Sequence, residues 1–96
     1  MYTHIAIFKW KSGTKISAVN SVLREIKALE NKISGIEISI AENRSKYSQG
    51  YTHVILIRGK GKEAIEAYRK HSAHQIVATK IEAMEEHGIG VDFETE

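Results

Sequence analysis

The sequence predicts one small α+β domain over residues 1–96, with its elements in the order β-α-β-β-α-β. Three observations support this prediction. The length of 96 residues is sufficient for one hydrophobic core but not for a second domain. Four short apolar segments have the composition or alternation of strands, and two longer segments have helical periodicity. No cysteine is present, so neither disulfides nor thiolate metal sites contribute to the fold.

The first strand and the first helix are the clearest elements. Residues 3–10 are rich in aromatic and β-branched side chains, and Ser12 and Gly13 are typical of the turn that follows. From Ile16 the apolar residues recur in steps of three and four, opposite a polar face, which predicts an amphipathic helix. Its apolar face comprises Ile16, Val19, Val22, Leu23, Ile26 and Leu29.

The middle of the chain is predicted to form a pair of antiparallel strands. Ser34 and Gly35 end the first helix, and residues 36–40 then alternate, with isoleucine at every second position. A polar segment over residues 43–50 precedes a second apolar run over residues 51–58. Two apolar runs joined by a polar, glycine-containing segment are typical of strands connected by a loop.

The second helical region is predicted to break near His71. Residues 63–70 have a helical pattern, and Ser72 and Gln75 have the spacing of a capping box that starts a new helix. Gly88 is predicted to end this helix. The inner face is expected to comprise Ile76, Val77, Lys80, Ile81 and Met84. The last strand is expected to carry Ile89, Val91 and Phe93.

This order of elements predicts a ferredoxin-like arrangement, a four-stranded antiparallel sheet with the helices on one face and strands one and three in the centre. Both central strands are apolar on both sides, whereas the helices cover only one side. Monomers rarely leave such a patch exposed, so we predict that two copies pair through their sheets as a homodimeric α/β barrel. The expected interface residues are Ile5, Ile7, Val54 and Leu56.

Composition and charge exclude several partners. The net charge of +2 is spread along the chain, so we expect no nucleic-acid partner. No apolar stretch approaches the ~20 residues that span a bilayer, and no signal-peptide pattern is present, so we expect a cytoplasmic protein without a membrane partner. Residues 59–62 lack the spacing of a phosphate-binding loop and are interpreted as a turn.

Histidine and tyrosine side chains are predicted to face the helix-covered side of the sheet. His4 lies on the first strand, His53 on the third, and two further histidines flank the helix break. We expect these residues to line one pocket for a small hydrophobic ligand. The expected ligand-binding residues are His4, Ala6, Phe8, His53, Ile55, Ile57 and His71, and Tyr68 and His74 lie beside them at the helix break.

Structural interpretations of the same residues stay open. Tyr68 and His74 are also compatible with a buried pair that satisfies itself and a backbone group at the helix break. His71 and His74 have helical i, i+3 spacing, but no carboxylate motif accompanies them, and no metal is predicted. His87 is interpreted as a cation near the end of the last helix.

The sequence also resembles the stress-responsive A/B barrel domain (Dabb) family, whose members are dimeric α/β barrels. The resemblance covers nearly the whole chain. It rests on the His-Ile opening of strand one followed by Phe8-Lys9-Trp10-Lys11, on Lys32-Ile33-Ser34-Gly35-Ile36, on Gly50-Tyr51-Thr52-His53, and on Ala67-Tyr68 followed by His71-Ser72-Ala73-His74.

The resemblance implies two classes of function, because the family includes stress-induced plant proteins and a plant polyketide cyclase that performs an aldol condensation. In that cyclase the residues matching Tyr68 and His74 form the catalytic pair, and those matching His4 and His53 line the pocket. By this resemblance His74 would be the general base and Tyr68 would donate to the enolate oxygen, without a cofactor.

The chain departs from the family pattern in two respects. The cyclase lines its channel with aromatic side chains where this chain has Val22, Leu23 and Ile26, so an aromatic polyketide is not the expected substrate. Ser72 replaces the usual proline. Three functions are therefore considered: a ligand-binding stress-response protein, a cofactor-free lyase or cyclase acting on a small carbonyl compound, and, by fold analogy, a haem-degrading or quinol-forming monooxygenase.

Overall fold

A computed structural model describes residues 1–96 and contains one four-stranded antiparallel sheet with three α-helices on one face. The elements are β1 (Tyr2–Trp10), α1 (Ile16–Ala28), a 3₁₀-helix (Leu29–Asn31), β2 (Ile36–Glu42), β3 (His53–Gly59), α2 (Lys62–Lys70), α3 (Ser72–Met84) and β4 (Glu85–Glu94). The strand order is β2-β3-β1-β4, so β1 and β3 are central. The predicted ferredoxin-like fold is confirmed.

The hydrophobic core lies between the helices and one face of the sheet. The apolar stripe of α1 supplies Val19, Val22, Leu23 and Ile26, as its periodicity predicts. Ile16, at the start of this helix, is 59% exposed and lies outside the core. The sheet contributes alternate residues, because successive side chains of a strand point to opposite faces. Those buried against the helices are Phe8, Ile36, Ile38, Ile55 and Ile57.

His71 separates α2 from α3. Its backbone is extended (φ −64°, ψ 135°), and its Nδ1 accepts a hydrogen bond of 3.1 Å from the backbone N–H of Ala73. His71 is therefore the N-cap of α3. The predicted break is confirmed, but the predicted capping box of Ser72 and Gln75 is wrong, because Ser72 is already helical and the Gln75 N–H donates to the carbonyl of His71.

The end of α3 also differs from the prediction. The helix ends at Met84 and β4 begins at Glu85, so His87 and Gly88 lie within a strand. The reason is long-range pairing: β4 runs antiparallel to the whole of β1, and its backbone groups bond across the sheet and not along a helix. His87 is consequently not a helix-end cation, and its Nδ1 lies 2.7 Å from the Tyr51 hydroxyl.

The inner face of α3 is narrower than predicted. Val77 and Ile81 are its buried residues, whereas Ile76 is 62% exposed. Lys80 also lies at the surface, where its Nζ contacts Glu25 Oε1 of α1 at 2.7 Å. The apolar stripe of α3 is therefore narrow, and a space remains between this helix and the sheet.

The face of the sheet away from the helices is apolar and uncovered. Cross-strand pairing places Ile5 between Leu56 and Val91, and Ile7 between Val54 and Ile89. The residues predicted for the interface thus lie together on this face, and β4 extends the apolar strip. None of the three α-helices combines the length and apolar composition needed to cross a bilayer.

Candidate functional site

A cavity of about 170 Å³ lies between the sheet and the paired helices α2 and α3. Most of its wall is apolar, and five titratable side chains interrupt it. The apolar lining comprises Ala6, Phe8, Ile26, Ile55, Ile57, Ala78 and Ile81. The titratable side chains are His4, Tyr68, His74, Glu82 and Glu85.

The helix break brings Tyr68 and His74 together. Tyr68 lies in the last turn of α2 and His74 in the first turn of α3, so the extended residue His71 turns both side chains toward the sheet. Their ring centroids are 4.4 Å apart and their planes are inclined by 53°. The two residues expected to act together are therefore in contact.

The Tyr68 hydroxyl is available to a ligand. The residue is 2% exposed, and its hydroxyl has no hydrogen-bond partner in the chain. The only fully buried side-chain nitrogen or oxygen without a partner is His53 Nε2, so the Tyr68 oxygen retains some accessible surface at the cavity. Burial raises the pKa of Tyr68, which keeps the hydroxyl protonated as a hydrogen-bond donor.

His74 is held in one tautomer. Its Nδ1 lies 3.0 Å from the backbone carbonyl oxygen of Arg69, which only accepts hydrogen bonds, so the proton of the neutral ring sits on Nδ1. Nε2 therefore carries the free lone pair. Burial lowers the pKa of His74, the Arg69 carbonyl partly offsets this effect, and the nearby charges of His4 and Arg69 add to it. A neutral imidazole with a free Nε2 is suited to accept a proton.

His4 is tied to the edge strand β4. It pairs with Asp92 across the sheet, and its Nδ1 lies 2.5 Å from Asp92 Oδ1. The same carboxylate accepts hydrogen bonds from Arg69 Nη2 at 2.9 Å and 2.7 Å. These bonds from Arg69, followed by the contact with His4, hold the pKa of Asp92 below its usual range despite some desolvation. Three residues from β1, α2 and β4 thus form one polar cluster beside the cavity.

The sequence-based set omitted Arg69, Asp92, Glu82 and Glu85. A signal for Asp92 existed, because the predicted alternation of Ile89, Val91 and Phe93 leaves Asp92 on the helix-covered face with His4. Arg69 gave no such signal, since it occupies an exposed position of α2 and reaches Asp92 through its long side chain. Glu85 was assigned to the helix and lies instead at the start of β4.

The expectation that His4 and His53 line one pocket is wrong. His53 pairs with Phe8, four residues along β1 from His4, which corresponds to about 13 Å at the rise of a strand. It lines a separate groove of about 320 Å³ between α1 and β2. Its Nδ1 accepts a 3.0 Å hydrogen bond from Trp10 Nε1, and burial lowers its pKa, an effect that Glu42 partly offsets.

Of the other residues expected to bind a ligand, some line the cavity and one does not. Four apolar residues predicted for the pocket line the cavity with His4: Ala6, Phe8, Ile55 and Ile57. His71 does not line it, because its imidazole caps α3. An apolar cavity of about 150 Å³ is large enough to hold benzene, so the observed volume accommodates a molecule of that size class.

Comparison with protein families gives one match over nearly the whole chain. A family model described as the stress responsive A/B barrel domain matches residues 2–95. No curated protein matches the chain.

Solved structures share the fold at low sequence identity. The Arabidopsis thaliana protein At3g17210 is 22% identical with a TM-score of 0.90, covering 100% of this chain and 96% of that protein. A dimeric ferredoxin-like protein of unknown function from Thermobifida fusca is 20% identical with a TM-score of 0.84, and the match covers 98% of this chain and 90% of that protein. The hydroxynitrile lyase of Passiflora edulis is 12% identical with a TM-score of 0.89, and the match covers 99% of this chain and 93% of that protein. These likenesses establish the fold.

Proposed function

Because this chain belongs to the stress-responsive A/B barrel domain family, we propose that it binds a small, mostly apolar carbonyl compound in the cavity between the sheet and α2 and α3. The observation that carries the proposal is the Tyr68 hydroxyl, which has no hydrogen-bond partner in the chain and lies in a wall of seven apolar and five titratable residues. A carbonyl oxygen would accept from this hydroxyl, and the apolar remainder of the ligand would contact Ile57 and Ala78.

The volume of the cavity and its polar groups set the size and chemistry of this ligand. The cavity of about 170 Å³ fits a benzene-sized body. Only a few directed polar groups are present, which is typical of sites that fix orientation with hydrogen bonds and gain affinity from apolar contact. We therefore use acetophenone, an aromatic ring with one methyl ketone, as the probe compound.

Binding is tested by titrating the isotope-labelled protein with acetophenone and recording methyl NMR signals. Saturable shifts are expected for Ile55, Ile57 and Ala78, with none at the exposed Ile76. Tyr68→Phe should weaken acetophenone binding and leave toluene binding unchanged, since toluene offers no oxygen to the hydroxyl. Shifts that do not saturate, or that appear at Ile76 equally, would rule out the proposed site.

A second candidate function is a cofactor-free lyase or cyclase, which the tautomer of His74 favours. Its Nδ1–H is bonded to the Arg69 carbonyl, so Nε2 is the basic atom on the ring that contacts Tyr68. Nε2 would remove a proton from the carbon next to the ligand carbonyl. The C–H electron pair then forms the enolate C=C bond, the C=O π pair moves to oxygen, and Tyr68 donates a hydrogen bond to that oxygen.

This candidate predicts proton exchange without any partner substrate. In D₂O the methyl protons of acetophenone should be replaced by deuterium faster with the protein than with buffer. His74→Ala should lower the exchange rate about 10²- to 10⁴-fold, the usual contribution of a general base. Tyr47→Phe, at a tyrosine that is 74% exposed and does not line the cavity, serves as a control and should leave the rate unchanged. Equal rates for the wild type and His74→Ala would remove the lyase candidate and leave ligand binding standing.

The uncovered sheet face supports a homodimer as the functional unit. Ile5, Ile7, Val54 and Leu56 lie on it together, and the Thermobifida fusca structure is described as dimeric. Ile89, Val91 and Phe93 add a strip on β4 in which each residue is about two-fifths exposed. Burial of an apolar surface of this kind against a second copy would supply the burial that a chain of this length lacks alone.

A further inference from the structure

His53 carries an unused hydrogen-bond donor and lines the groove between α1 and β2. Trp10 Nε1 only donates, so its 3.0 Å contact requires His53 Nδ1 to accept, and the proton of the neutral ring lies on Nε2. The residue is 6% exposed, and its Nε2 has no partner in the chain. A buried N–H without an acceptor costs free energy, so a bound acceptor would stabilise this arrangement.

The bonds of Nδ1 leave the opposite edge of the ring for the groove. Nδ1 contacts Trp10 at 3.0 Å and the Thr52 hydroxyl at 2.8 Å, and neither residue lines the groove. The edge of an imidazole opposite Nδ1 consists of Cδ2 and Nε2. Nε2 is closed to water, so a ligand reaches it when an exposed side chain of the groove moves. Arg24 is free to make this movement, because its long side chain is exposed.

Two opposite charges line the same groove without a partner in the chain. Arg24 comes from α1 and Glu42 from β2, and neither takes part in an ion pair. Glu42 pairs directly with His53 across β2 and β3, so its carboxylate belongs to the same face as the unused donor. Lys27 also lines the groove, but its ammonium group is already bonded within the chain.

We propose that the groove between α1 and β2 binds a free α-amino acid with an apolar side chain. The carboxylate of the ligand accepts from the Arg24 guanidinium and from His53 Nε2–H, and its ammonium group donates to Glu42. The two charged groups of an α-amino acid share one carbon, which suits the adjacent positions of His53 and Glu42 across the sheet. The site is separate from the cavity beside α2 and α3 and does not depend on the ligand proposed there.

The lining of the groove selects this class of ligand over simpler ones. A monocarboxylate would leave Glu42 without a partner and be repelled by it, whereas an amine would leave Arg24 and the His53 donor unused. The remaining wall includes three apolar side chains and an amide: Leu23, Ile40, Ala41 and Asn20. A volume of about 320 Å³ with these apolar contacts suits a branched aliphatic side chain, so free L-leucine is the probe.

Binding is tested by titrating the isotope-labelled protein with free L-leucine and recording methyl NMR signals. Saturable shifts are expected at Leu23 and Ile40, with none at Ala78, which lines the other cavity. Two analogues test the charges of the ligand: 4-methylpentanoate lacks the ammonium group, and 3-methylbutylamine lacks the carboxylate. Each should bind about tenfold more weakly than L-leucine, the effect of losing one hydrogen bond between charged groups.

Two substitutions test the matching charges of the protein. Arg24→Met and Glu42→Gln should each raise the Kd of L-leucine about tenfold. Arg24→Met should leave the weak binding of 3-methylbutylamine unchanged, and Glu42→Gln should not weaken 4-methylpentanoate, because neither pair of groups meets in those complexes. Arg44→Met and Glu37→Gln, at exposed residues outside the groove, are the matched controls and should leave the Kd of L-leucine unchanged.

A further measurement observes the His53 donor directly. ¹⁵N NMR of the imidazole rings should place its proton on Nε2, and the Nε2–H signal should move with L-leucine but not with 3-methylbutylamine. The proposal is overturned by a His53 signal that stays constant at saturation, by equal affinities for L-leucine and 4-methylpentanoate, or by shifts at Ala78 in place of Leu23 and Ile40. None of these outcomes affects acetophenone binding at Ile57, which tests the other cavity.

Discussion

The Tyr68 ring packs against the His74 imidazole with centroids 4.4 Å apart, yet the two polar tips do not bond to each other. His74 uses Nδ1 for the Arg69 carbonyl, and the Tyr68 hydroxyl has no partner in the chain. A pair kept only for stability would be expected to satisfy both groups internally. The unpaired hydroxyl is therefore the feature that separates a binding role from a structural one.

Tyr68→Phe is expected to leave folding stability nearly unchanged, within about 0.5 kcal/mol, because the lost hydroxyl makes no hydrogen bond in the chain. The free energy of unfolding in urea measures this directly. Ile65→Ala, at a fully buried neighbour on α2, provides the contrast and should lower stability by about 2–5 kcal/mol. A large loss in Tyr68→Phe would assign the hydroxyl to the fold and not to a ligand.

Folding stability should decrease as the pH falls below about 6.5. Burial lowers the pKa of both His53 and His74 from 6.5, so the unfolded chain binds protons that the folded chain does not. The contribution of these two neutral histidines to the free energy of unfolding is complete above pH 6.5 and is lost as the pH falls through their lowered pKa values. Asp92 does not affect this window, because its pKa is lowered from 3.8.

Urea unfolding at pH 7.5 and pH 5.5, at one fixed protein concentration, tests this dependence. His74→Gln should reduce the difference between the two pH values, since it removes one of the two buried titrating rings. A wild-type stability that rises on acidification would contradict the assigned direction of both pKa shifts.

Filling the cavity should abolish ligand binding without unfolding the protein. Ala78 lines the cavity on α3, and Ala78→Leu would place a larger apolar side chain in its volume of about 170 Å³. We expect acetophenone shifts to disappear while the melting temperature is kept. Ala83→Leu, at an exposed alanine of the same helix, is the control and should retain binding. Binding that persists in Ala78→Leu would place the ligand elsewhere.

A charge on the uncovered sheet face should produce monomers. Ile5→Lys places an ammonium group between Leu56 and Val91, where a dimer would bury it without a partner. Sedimentation velocity at micromolar concentration should show half the mass of the wild type. Ile76→Lys, the same change at a residue that is 62% exposed on α3, should keep the dimer mass. Equal masses for the wild type and Ile5→Lys would exclude this face as the interface.

The sequence predicted those parts of the structure that depend on local pattern. The apolar stripe of α1 predicted its contribution to the core, and the order of the elements predicted that β1 and β3 are the central strands. The last strand was predicted to follow Gly88, because glycine is a local signal for the end of a helix, whereas β4 begins at Glu85 through pairing with the distant strand β1. The capping of α3 by His71 was also missed, since imidazole is an uncommon cap.

The site was only partly predictable, because its composition also depends on long-range strand pairing and helix packing. The sequence placed Tyr68, His74 and His4 in the site. It also grouped His53 with them, because both strand histidines are on the helix-covered face of the sheet. The pairing register of β1 and β3, however, puts His4 and His53 at opposite ends of that face. Arg69 and Asp92 meet only after α2 packs over the edge of the sheet. Neither residue type nor spacing within α2 indicates how far a flexible arginine will reach.

The pairing of β1 with β4 sets when this cavity can form. His4 and Asp92 are separated by 88 positions, and β1 bonds to β4 along its length only once residue 94 is available. Closing a loop of nearly the whole chain costs entropy before it gains any contact, which slows folding. On a ribosome, β1 would therefore remain without β4 until residue 94 has left the exit tunnel, and we expect the His4 end of the cavity to be completed only after that point.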